Sequence, residues 1–455
     1  MKGTSSSPES SQINGYLRKH QLFPTRIMAP ARSDLELVVV IPCYNEPKLE
    51  SVFDCLWRCA RPACSIEVIV VLNASSADDP SVHAQNRRTL ATAQRWIAET
   101  AVRGDDSLRF HVLDFPDLPS RHAGAGLARR IGMDEAVARF AAAGNPEGVI
   151  ACLDADCRCD DNYLTALVDH FRDHPKSPGC SLYFEHPLDL ARAPAIRAAI
   201  VSYELHLRYY VHGLRVAGSP YAHHTVGSSM AVRTRIYEQQ GGMNRRKGGE
   251  DFYFLQKIMA LGSFTDLRET RVLPSPRISN RAPFGTGRAI GDSIGQGGAR
   301  YTYAPEIFRD LEELLSRVGG LHAMGKTDSD LAVDPTVMNF KAANSLATKL
   351  PEYVSAFLRT RRFEERLAEI RRNAASTMAF EKRFHRWFNA FSTLKFIHFA
   401  TEHQYPKVPV EQAARVLLRS GFEKGAWTRS DRGYLEQQED LLLRYRAIDR
   451  GKGSE

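Results

Sequence analysis

Two acidic residues separated by a single alanine, Asp154 and Asp156, directly follow an apolar run at 149–153. Such a run is typical of a buried strand, and because alternate strand residues share a face, we expect both carboxylates at one edge of a sheet. Carboxylate oxygens are preferred ligands of Mg²⁺ and Mn²⁺, which commonly complete their coordination with water and substrate phosphates. The pattern predicts a divalent-cation site, although it also suits a loop or the N-terminus of the next helix.

A second acidic pair, Glu250 and Asp251, follows a glycine-rich segment that includes Gly241, Gly242 and Gly249. Apolar residues recur after this pair at the spacing of one helix face, so we expect the two acids at the N-terminus of a helix. A helix N-terminus favours negative charge, so capping alone is one interpretation of the pair.

Glycine and arginine residues that suit phosphate groups form a third set. Gly124 and Gly126 precede a helical pattern and resemble a phosphate-binding turn, but they stand too close together and too far after their strand for a dinucleotide fingerprint. Arg129 follows in that helix, where it either faces a phosphate or lies on the solvated surface. Arg277 and Arg281 accompany a flexible turn, and they are either diphosphate ligands or members of structural ion pairs.

These residues need a scaffold, and from Leu35 onward the sequence alternates between strand and helix patterns. Strands that are apolar on both faces require helices on both sides of a mostly parallel sheet, which is a Rossmann-like α/β fold. Ligands of such folds bind at the carboxyl ends of the strands, so we expect the site at 42–46, 73–79 and 154–160. The predicted strands are 37–41, 67–72, 109–113 and 148–153, and the predicted helices are 49–59, 88–100 and 126–142.

The strand pattern fades beyond about Tyr301, where long amphipathic helical patterns begin. We therefore expect a mobile tail over 1–33, an α/β domain over 34–304 and a C-terminal α-helical lobe over 305–455. Four phenylalanines of the lobe recur at helical spacing, which indicates a stripe that faces a core. These residues are Phe380, Phe384, Phe388 and Phe391.

The same lobe holds a run of arginines beside Phe363, Leu367 and Ile370. One interpretation is a helix that lies on an anionic membrane surface. The other is a solvated outer face above a packed apolar stripe. The arginines are Arg359, Arg361, Arg362, Arg366, Arg371 and Arg372.

Composition narrows the class of protein. The 455 residues carry a formal net charge of +8, which attracts anions but does not choose among them. No apolar run is long enough to cross a bilayer, and the first 14 residues lack the apolar core of a signal peptide. We expect a cytoplasmic protein, free or peripheral at the inner membrane face, with eight free cysteines. No nucleic-acid-binding module is recognisable.

Taken in order, several segments of the sequence together resemble family 2 of the glycosyltransferases, which have the GT-A fold. The resemblance covers about residues 35–290, and the ordered set is more specific than any single motif. Its segments are Val39–Glu46, His122–Gly132, Asp154–Asp156, Gly227–Arg233, Gly241–Gly242 and Gly249–Asp251.

The resemblance implies a nucleotide-sugar donor, a UDP- or GDP-sugar, and transfer of one sugar to a hydroxyl acceptor. That acceptor is a glycan, a lipid-linked sugar or a small metabolite. Asp154 and Asp156 would bind Mg²⁺ or Mn²⁺ at the donor diphosphate, and Asp251 would remove the acceptor proton with Glu250 in support. Inversion is expected, because retention by double displacement requires a nucleophile that the sequence does not identify.

The resemblance also places Pro42, Tyr44 and Glu46 at the base and ribose of the donor. Glu46 equally suits the N-terminus of the next helix, and both roles are compatible. Where the family has consecutive acids after its second strand, this chain has Asn73, whose amide can still bind a base. This departure leaves the identity of the nucleobase open.

Other classes of protein fit less well. The Gln-x-x-Arg-Trp motif of processive polysaccharide synthases is missing from the sequence. A sugar-phosphate nucleotidyltransferase requires a glycine-rich, basic loop directly after the first strand, and residues 42–46 provide none. A non-catalytic nucleotide-sugar-binding protein is the remaining alternative, against which the presence of Asp156 and Asp251 argues.

Overall fold

A computed structural model describes residues 15–279, 285–295, 300–323, 350–421 and 434–451, so the predicted site residue Arg281 lies outside the described residues. The chain divides into two compact units. The first comprises described residues within 1–200, 224–297 and 446–455, and the second comprises those within 201–223 and 298–445.

Eight strands of the described chain form one sheet in the first unit, in the order β3-β2-β1-β4-β7-β6-β8-β5. Strand β1 pairs in parallel with β2 and β4, β2 with β3, and β6 with β8. Strand β7 runs antiparallel between β4 and β6, and β5 runs antiparallel to β8. The strands are β1 (Leu35–Cys43), β2 (Ser65–Ser75), β3 (Leu108–Leu118), β4 (Val149–Cys152), β5 (Arg158–Cys159), β6 (Gly179–Phe184), β7 (Met230–Arg233) and β8 (Thr265–Leu273).

Helices α2, α3 and α4 cover both faces of this sheet. Val40 of β1 packs against Gly132 of α4, and its neighbour Val39 points to the opposite face. Phe110 of β3 shares that opposite face through the strand register and contacts Phe53 of α2. The helices up to residue 295 are α1 (15–20), α2 (Leu49–Arg58), α3 (Pro80–Ala101), α4 (Ala125–Ala143), α5 (Tyr163–Asp173), α6 (Pro194–Val216), α7 (Thr234–Gln239), α8 (Glu250–Met259) and α9 (Thr286–Gly295).

The second unit is mainly helical, with a short antiparallel pair of β9 (Tyr301–Thr302) and β10 (Val408–Pro409). The predicted mostly parallel sheet with a C-terminal helical region is thereby confirmed. The later helices are α10 (Pro305–Ser316), α11 (Val318–Ala323), α12 (Glu352–Thr360), α13 (Phe363–Arg372), α14 (Thr377–Trp387), α15 (Ala390–His403), α16 (Val410–Gly421) and α17 (Tyr434–Asp449).

The predicted phenylalanine stripe belongs to two helices rather than one. Phe380 and Phe384 are fully buried in α14, and Phe388 is buried just beyond its end. The side chain of Asn389 then accepts a hydrogen bond from the Ser392 amide at 3.0 Å and caps the start of α15.

The arginine-rich helix α13 turns its apolar residues inward, and Phe363, Leu367 and Ile370 are buried. Two exposed ion pairs, Arg362–Glu365 and Arg366–Glu369, lie along its outer side. This arrangement is typical of a solvated face, and contact with a membrane stays a prediction. Within the described part of the chain, no helix combines the length and the apolar character needed to span a bilayer.

The described part of the predicted tail, 15–33, packs against α4. The buried Tyr16 hydroxyl donates to Asp134 at 2.8 Å, and the backbone amides of Arg26 and Ile27 donate to Glu135 at 2.9–3.1 Å. These contacts attach the segment to the helix that presents Arg129 to the site.

Tight packing of α4 on the sheet gives a first prediction. An alanine Cβ at Gly132 would lie 2.4 Å from Cγ1 of Val40, so Gly132→Ala should destabilise the fold by about 1–3 kcal/mol in urea unfolding. Gly320→Ala is the matched control, because nothing lies within 4 Å of its new Cβ and alanine favours a helix. Equal unfolding midpoints for Gly132→Ala and the wild type would show that the contact is loose.

Candidate active site

The first acidic pair lies on a turn. Strand β4 ends at Cys152, and the Cys157 amide donates to the Asp154 carbonyl oxygen at 3.0 Å. The expectation that Asp154 and Asp156 share a strand face is therefore wrong, because the chain turns before Asp156. Both side chains still stand at the carboxyl end of the parallel strands and are partly exposed, 37% for Asp154 and 29% for Asp156.

Arg129 joins the first acidic pair to the second. Its Nη2 donates to Oδ1 of Asp154 at 2.5 Å, and its Nη1 donates to Oε1 of Glu250. Arg129 and Glu250 are both only 4% exposed, so this arginine is not a solvated surface residue. A buried carboxylate and a buried guanidinium compensate each other here, and the link brings residues far apart in sequence into one site.

Gly227 lets the loop before β7 approach this network. A Cβ on Gly227 would lie 2.7 Å from Cζ of Arg129, so only glycine fits without displacing the guanidinium. Its amide donates to Oδ2 of Asp251 at 2.9 Å. Segment 227–233, one of those that carry the family resemblance, thus supplies a backbone donor to the second acidic pair and then continues as β7.

Asp251 is held as a carboxylate by backbone donors. Besides Gly227, the Phe252 amide donates to its Oδ1 at 2.8 Å, as expected at the N-terminus of α8. Burial and the neighbouring Glu250 carboxylate nevertheless raise the pKa of Asp251 to about 6. A carboxylate with such a pKa can accept a proton near neutral pH, which a general base requires.

Arg277 connects Asp156 to the end of β1. Its Nε and Nη2 donate to Oδ2 of Asp156 at 3.2 and 3.0 Å, and its Nη1 donates to Oε1 of Glu46 at 3.3 Å. Glu46 is 1% exposed and also accepts from the Lys48 amide at 3.0 Å, just before α2. Both interpretations of Glu46 thus retain support, since it contacts the helix start and also faces the site.

The predicted nucleotide edge is built from the ends of β1 and β2. The Tyr44 hydroxyl interacts with Asp78, which together with burial raises the pKa of Tyr44. Asn73 is buried and donates from Nδ2 to the Cys43 carbonyl at 2.9 Å, so its amide connects the two strands. Pro42 is buried within β1 opposite Val71. Tyr44 is the partly exposed member of this group and the one best placed to meet a ligand.

Gly124 stands at the N-cap of α4 with φ +150°, a conformation that favours glycine. A Cβ added to it would lie 3.8 Å from Lys247, so the segment that leads to α8 covers this turn. Gly126 is more tightly enclosed, because its Cβ would lie 2.2 Å from the Arg246 carbonyl oxygen. Gly126 therefore lets α4 approach the segment before Glu250, a packing role that the phosphate interpretation did not anticipate.

The acid pairs fit a divalent cation only in part. Asp154 and Asp156 are accessible oxygen ligands, but an arginine contacts each of them. Among the residues that the structure describes, no group of three or more His, Cys, Asp or Glu side chains could hold a metal by itself. A cation would therefore need water and substrate phosphates to complete its coordination, as Mg²⁺ commonly does.

Sequence reasoning missed several residues that organise the site. Asn244 donates from Nδ2 to the Glu250 carbonyl at 2.8 Å, and Asn86 connects the Asn45 amide to the Asn73 carbonyl at 3.0 Å each. An asparagine among glycines before a predicted helix start was a usable signal for Asn244. Asn86 lies within α3 and gave no such signal.

The cysteines near the site are all free and buried. The Sγ of Cys159 lies 3.6 Å from that of Cys55 and 3.8 Å from that of Cys59, just beyond the turn that carries Asp156. These thiols hold α2 against β5 without taking part in the acidic network.

Comparison with known proteins finds a family model that matches part of this chain. Residues 38–240 match the family model described as Glycosyl transferase family 2, a span that includes Asp154 and Asp156 and ends before Glu250. The sequence matches no curated protein.

Two groups of solved structures are similar in part. S. aureus TarS 1-349 is 15% identical, with 77% of this chain and 91% of that chain covered at a TM-score of 0.35. Mannosyltransferase PcManGT from Pyrobaculum calidifontis, in complex with GDP-Man and Mn²⁺, is 14% identical, with 98% and 94% covered at a TM-score of 0.35. At such low scores, these structures carry no argument about the family or the function of this chain. Residues 38–240 of this chain are thus similar to glycosyl transferase family 2, whose model matches a little less than half of the chain.

Proposed function

We propose that this chain transfers one sugar from a nucleotide-sugar donor, a UDP- or GDP-sugar, to a hydroxyl acceptor with inversion. The observation that carries the proposal is the Arg129 bridge, which brings the partly exposed Asp154 and the acidic pair Glu250–Asp251 into one site. Sugar transfer needs both functions together: groups that stabilise a leaving diphosphate and a base for the attacking hydroxyl.

Asp251 is the proposed base. The amides of Gly227 and Phe252 orient its carboxylate, and burial makes it basic enough to accept the hydroxyl proton as the oxygen attacks the anomeric carbon. Glu250 is committed to Arg129 and therefore acts on Asp251 by its charge rather than by taking the proton itself. A single displacement with the base behind the acceptor gives inversion.

Asp154 and Asp156 are the proposed ligands of Mg²⁺ or Mn²⁺, and Tyr44 and Glu46 are proposed to contact the nucleoside. A bound cation would supply neutralisation of the charge that develops on the leaving diphosphate. Arg277 is proposed to contact the diphosphate, since its guanidinium already lies between Glu46 and Asp156 and is one-third exposed. Arg281 keeps its proposed role as a second diphosphate ligand on the sequence pattern alone.

Release of free nucleoside diphosphate tests the proposal without knowledge of the acceptor. A panel of UDP-, GDP- and dTDP-sugars would be incubated with Mn²⁺, Mg²⁺ or EDTA. We expect slow metal-dependent hydrolysis of one donor and about 10²–10³-fold slower release by Asp156→Ala, because a stabilising group at the leaving diphosphate is lost.

Asp161→Ala is the matched control, since Asp161 is exposed and follows the same turn. It should retain wild-type release. Failure of every donor to bind would contradict the proposal, whereas tight donor binding without any turnover, with or without candidate acceptors, would favour a non-catalytic nucleotide-sugar-binding protein.

A further inference from the structure

Arg277 holds two carboxylates that come from different strands of the sheet. Glu46 follows β1 and Asp156 lies on the turn after β4, and the guanidinium bonds to both. Arg277 is 33% exposed while Glu46 is 1% exposed, so the guanidinium lies on the open side of the buried acid. The arginine thus already occupies one side of the predicted cation site.

The positive charge of Arg277 affects whether a divalent cation can bind at Asp156. The buried Glu46 carboxylate is stabilised by a positive partner, and Arg277 is such a partner. A divalent cation bound to Asp156 would stand within a few ångströms of the same guanidinium, and two positive charges at that distance repel each other. Arg277 and the cation therefore compete for Asp156 unless negative charge is brought in.

A donor diphosphate supplies that negative charge. A guanidinium has five N–H donors in a planar fork, which matches phosphate oxygens, and Glu46 keeps the side chain anchored while the contact to Asp156 is exchanged. The exchange needs only rotation of a side chain that is one-third exposed, with no covalent bond made or broken.

We propose that Arg277 is the resident cation of the diphosphate site. It neutralises Asp156 and Glu46 before the donor binds, and it moves from Asp156 to the donor diphosphate when the divalent cation takes Asp156. The diphosphate half of this inference depends on the proposed sugar transfer, whereas the competition for Asp156 depends only on the proposed cation site. Metal and nucleotide should consequently bind with positive cooperativity, and the metal alone should bind weakly.

Binding of Mn²⁺ without nucleotide is the first test, measured as loss of the free-ion EPR signal in the full chain. Arg277→Gln keeps an N–H donor for Glu46 and removes the charge, so it should bind Mn²⁺ at least about tenfold more tightly than the wild type. Arg277→Lys keeps the charge and should bind as weakly as the wild type. Arg288→Gln, which removes an exposed charge paired with Asp292, is the matched control and should leave the affinity unchanged.

The double variant Arg277→Gln/Asp156→Asn should lose the gained affinity, which assigns the Mn²⁺ to this site. Thermal unfolding midpoints show whether each variant has folded. If Arg277→Gln has not folded, the Mn²⁺ affinity of Arg277→Lys is compared with that of the wild type. Equal Mn²⁺ affinities for the wild type and a folded Arg277→Gln would overturn the inference.

Titration with UDP and GDP in the presence of Mn²⁺ is the second test. The wild type should bind its nucleotide at least about tenfold more tightly with Mn²⁺ than without it, and Arg277→Gln should lose most of this coupling. If the Mn²⁺ result holds but neither nucleotide binds, the diphosphate half is overturned together with the proposed function, while the competition at Asp156 stands. If a nucleotide binds with equal coupling in both proteins, the transfer of Arg277 is wrong and the proposed function survives.

Discussion

Asp251→Asn should reduce kcat for sugar transfer by about 10²–10⁴-fold and leave donor binding close to that of the wild type. Asparagine has nearly the same shape and can still accept from the Gly227 or Phe252 amide, so the start of α8 should keep its position. What it loses is the ability to take a proton from the acceptor. The measurement is steady-state transfer, once an acceptor is identified, with donor affinity determined by calorimetry.

The pH dependence of kcat/KM tests the assignment of Asp251 as the base independently. Asp251 must be deprotonated to act as a base, so kcat/KM should fall as the pH drops below about 6, the value to which burial and Glu250 raise its pKa. Activity is retained above that pH and lost below it. Residual turnover of Asp251→Asn should lack this acid limb.

Glu238 provides a control for the assignment of the acid limb to Asp251. Burial raises the pKa of this second carboxylate to about 7, yet its side chain lies on α7 and makes no described contact with the acidic network. Glu238→Gln should keep both the rate and the acid limb. If the limb disappears in Glu238→Gln and persists in Asp251→Asn, the base assignment is wrong.

The scaffold could be predicted because its elements are locally encoded. The buried runs at 37–41 and 67–72 became β1 and β2, and the predicted helix at 126–142 became α4 with a shift of one residue at each end. Apolar strand runs and helical spacing are patterns of residues close together in the chain. They can therefore be recognised in a single sequence.

Strand order and the turn after β4 could not be predicted in the same way. The antiparallel β7 inserts between β4 and β6, although no strand was predicted at its residues. The pattern extends the strand to Asp156 because five apolar residues precede Asp154, and the hydrogen bond from the Cys157 amide shows the turn. The strand order depends on pairing partners distant in sequence, whereas the turn depends on a local hydrogen bond that a run of apolar residues does not indicate.

The sequence predicted which residues belong to the site, but it did not predict which of them form ion pairs with one another. A phosphate contact was one of two interpretations of Arg129 and of Arg277, and the chain itself places carboxylates against both, which for Arg277 agrees with the ion-pair alternative. The partners lie 121 positions away for Glu250 and 231 positions away for Glu46, so no local pattern indicates them. The family resemblance identified the motifs, whereas the folded structure determines which arginine pairs with which carboxylate.

Arg129→Met should be the most destabilising single change at the site, lowering the free energy of unfolding by about 3–5 kcal/mol. The substitution leaves Glu250 buried without its positive partner, and an uncompensated buried charge costs about that much. Asp154 contributes little to this cost, since its side chain is 37% exposed and water can solvate it. Urea unfolding of the single variant measures the effect.

The double variant Arg129→Met/Glu250→Gln distinguishes two contributions of Arg129 to stability, its compensation of the Glu250 charge and its packing. Removing both buried charges should recover most of the lost stability, because a neutral pair of similar volume avoids the desolvation cost. Arg235→Met is the surface control: its partner Glu147 is 47% exposed, so about 1 kcal/mol or less should be lost. If the double variant is as unstable as Arg129→Met, the guanidinium acts through its packing on Gly227 rather than by compensating Glu250. Transfer should stay impaired in either case, since Asp154 has lost the arginine that ties it to the segment carrying Asp251.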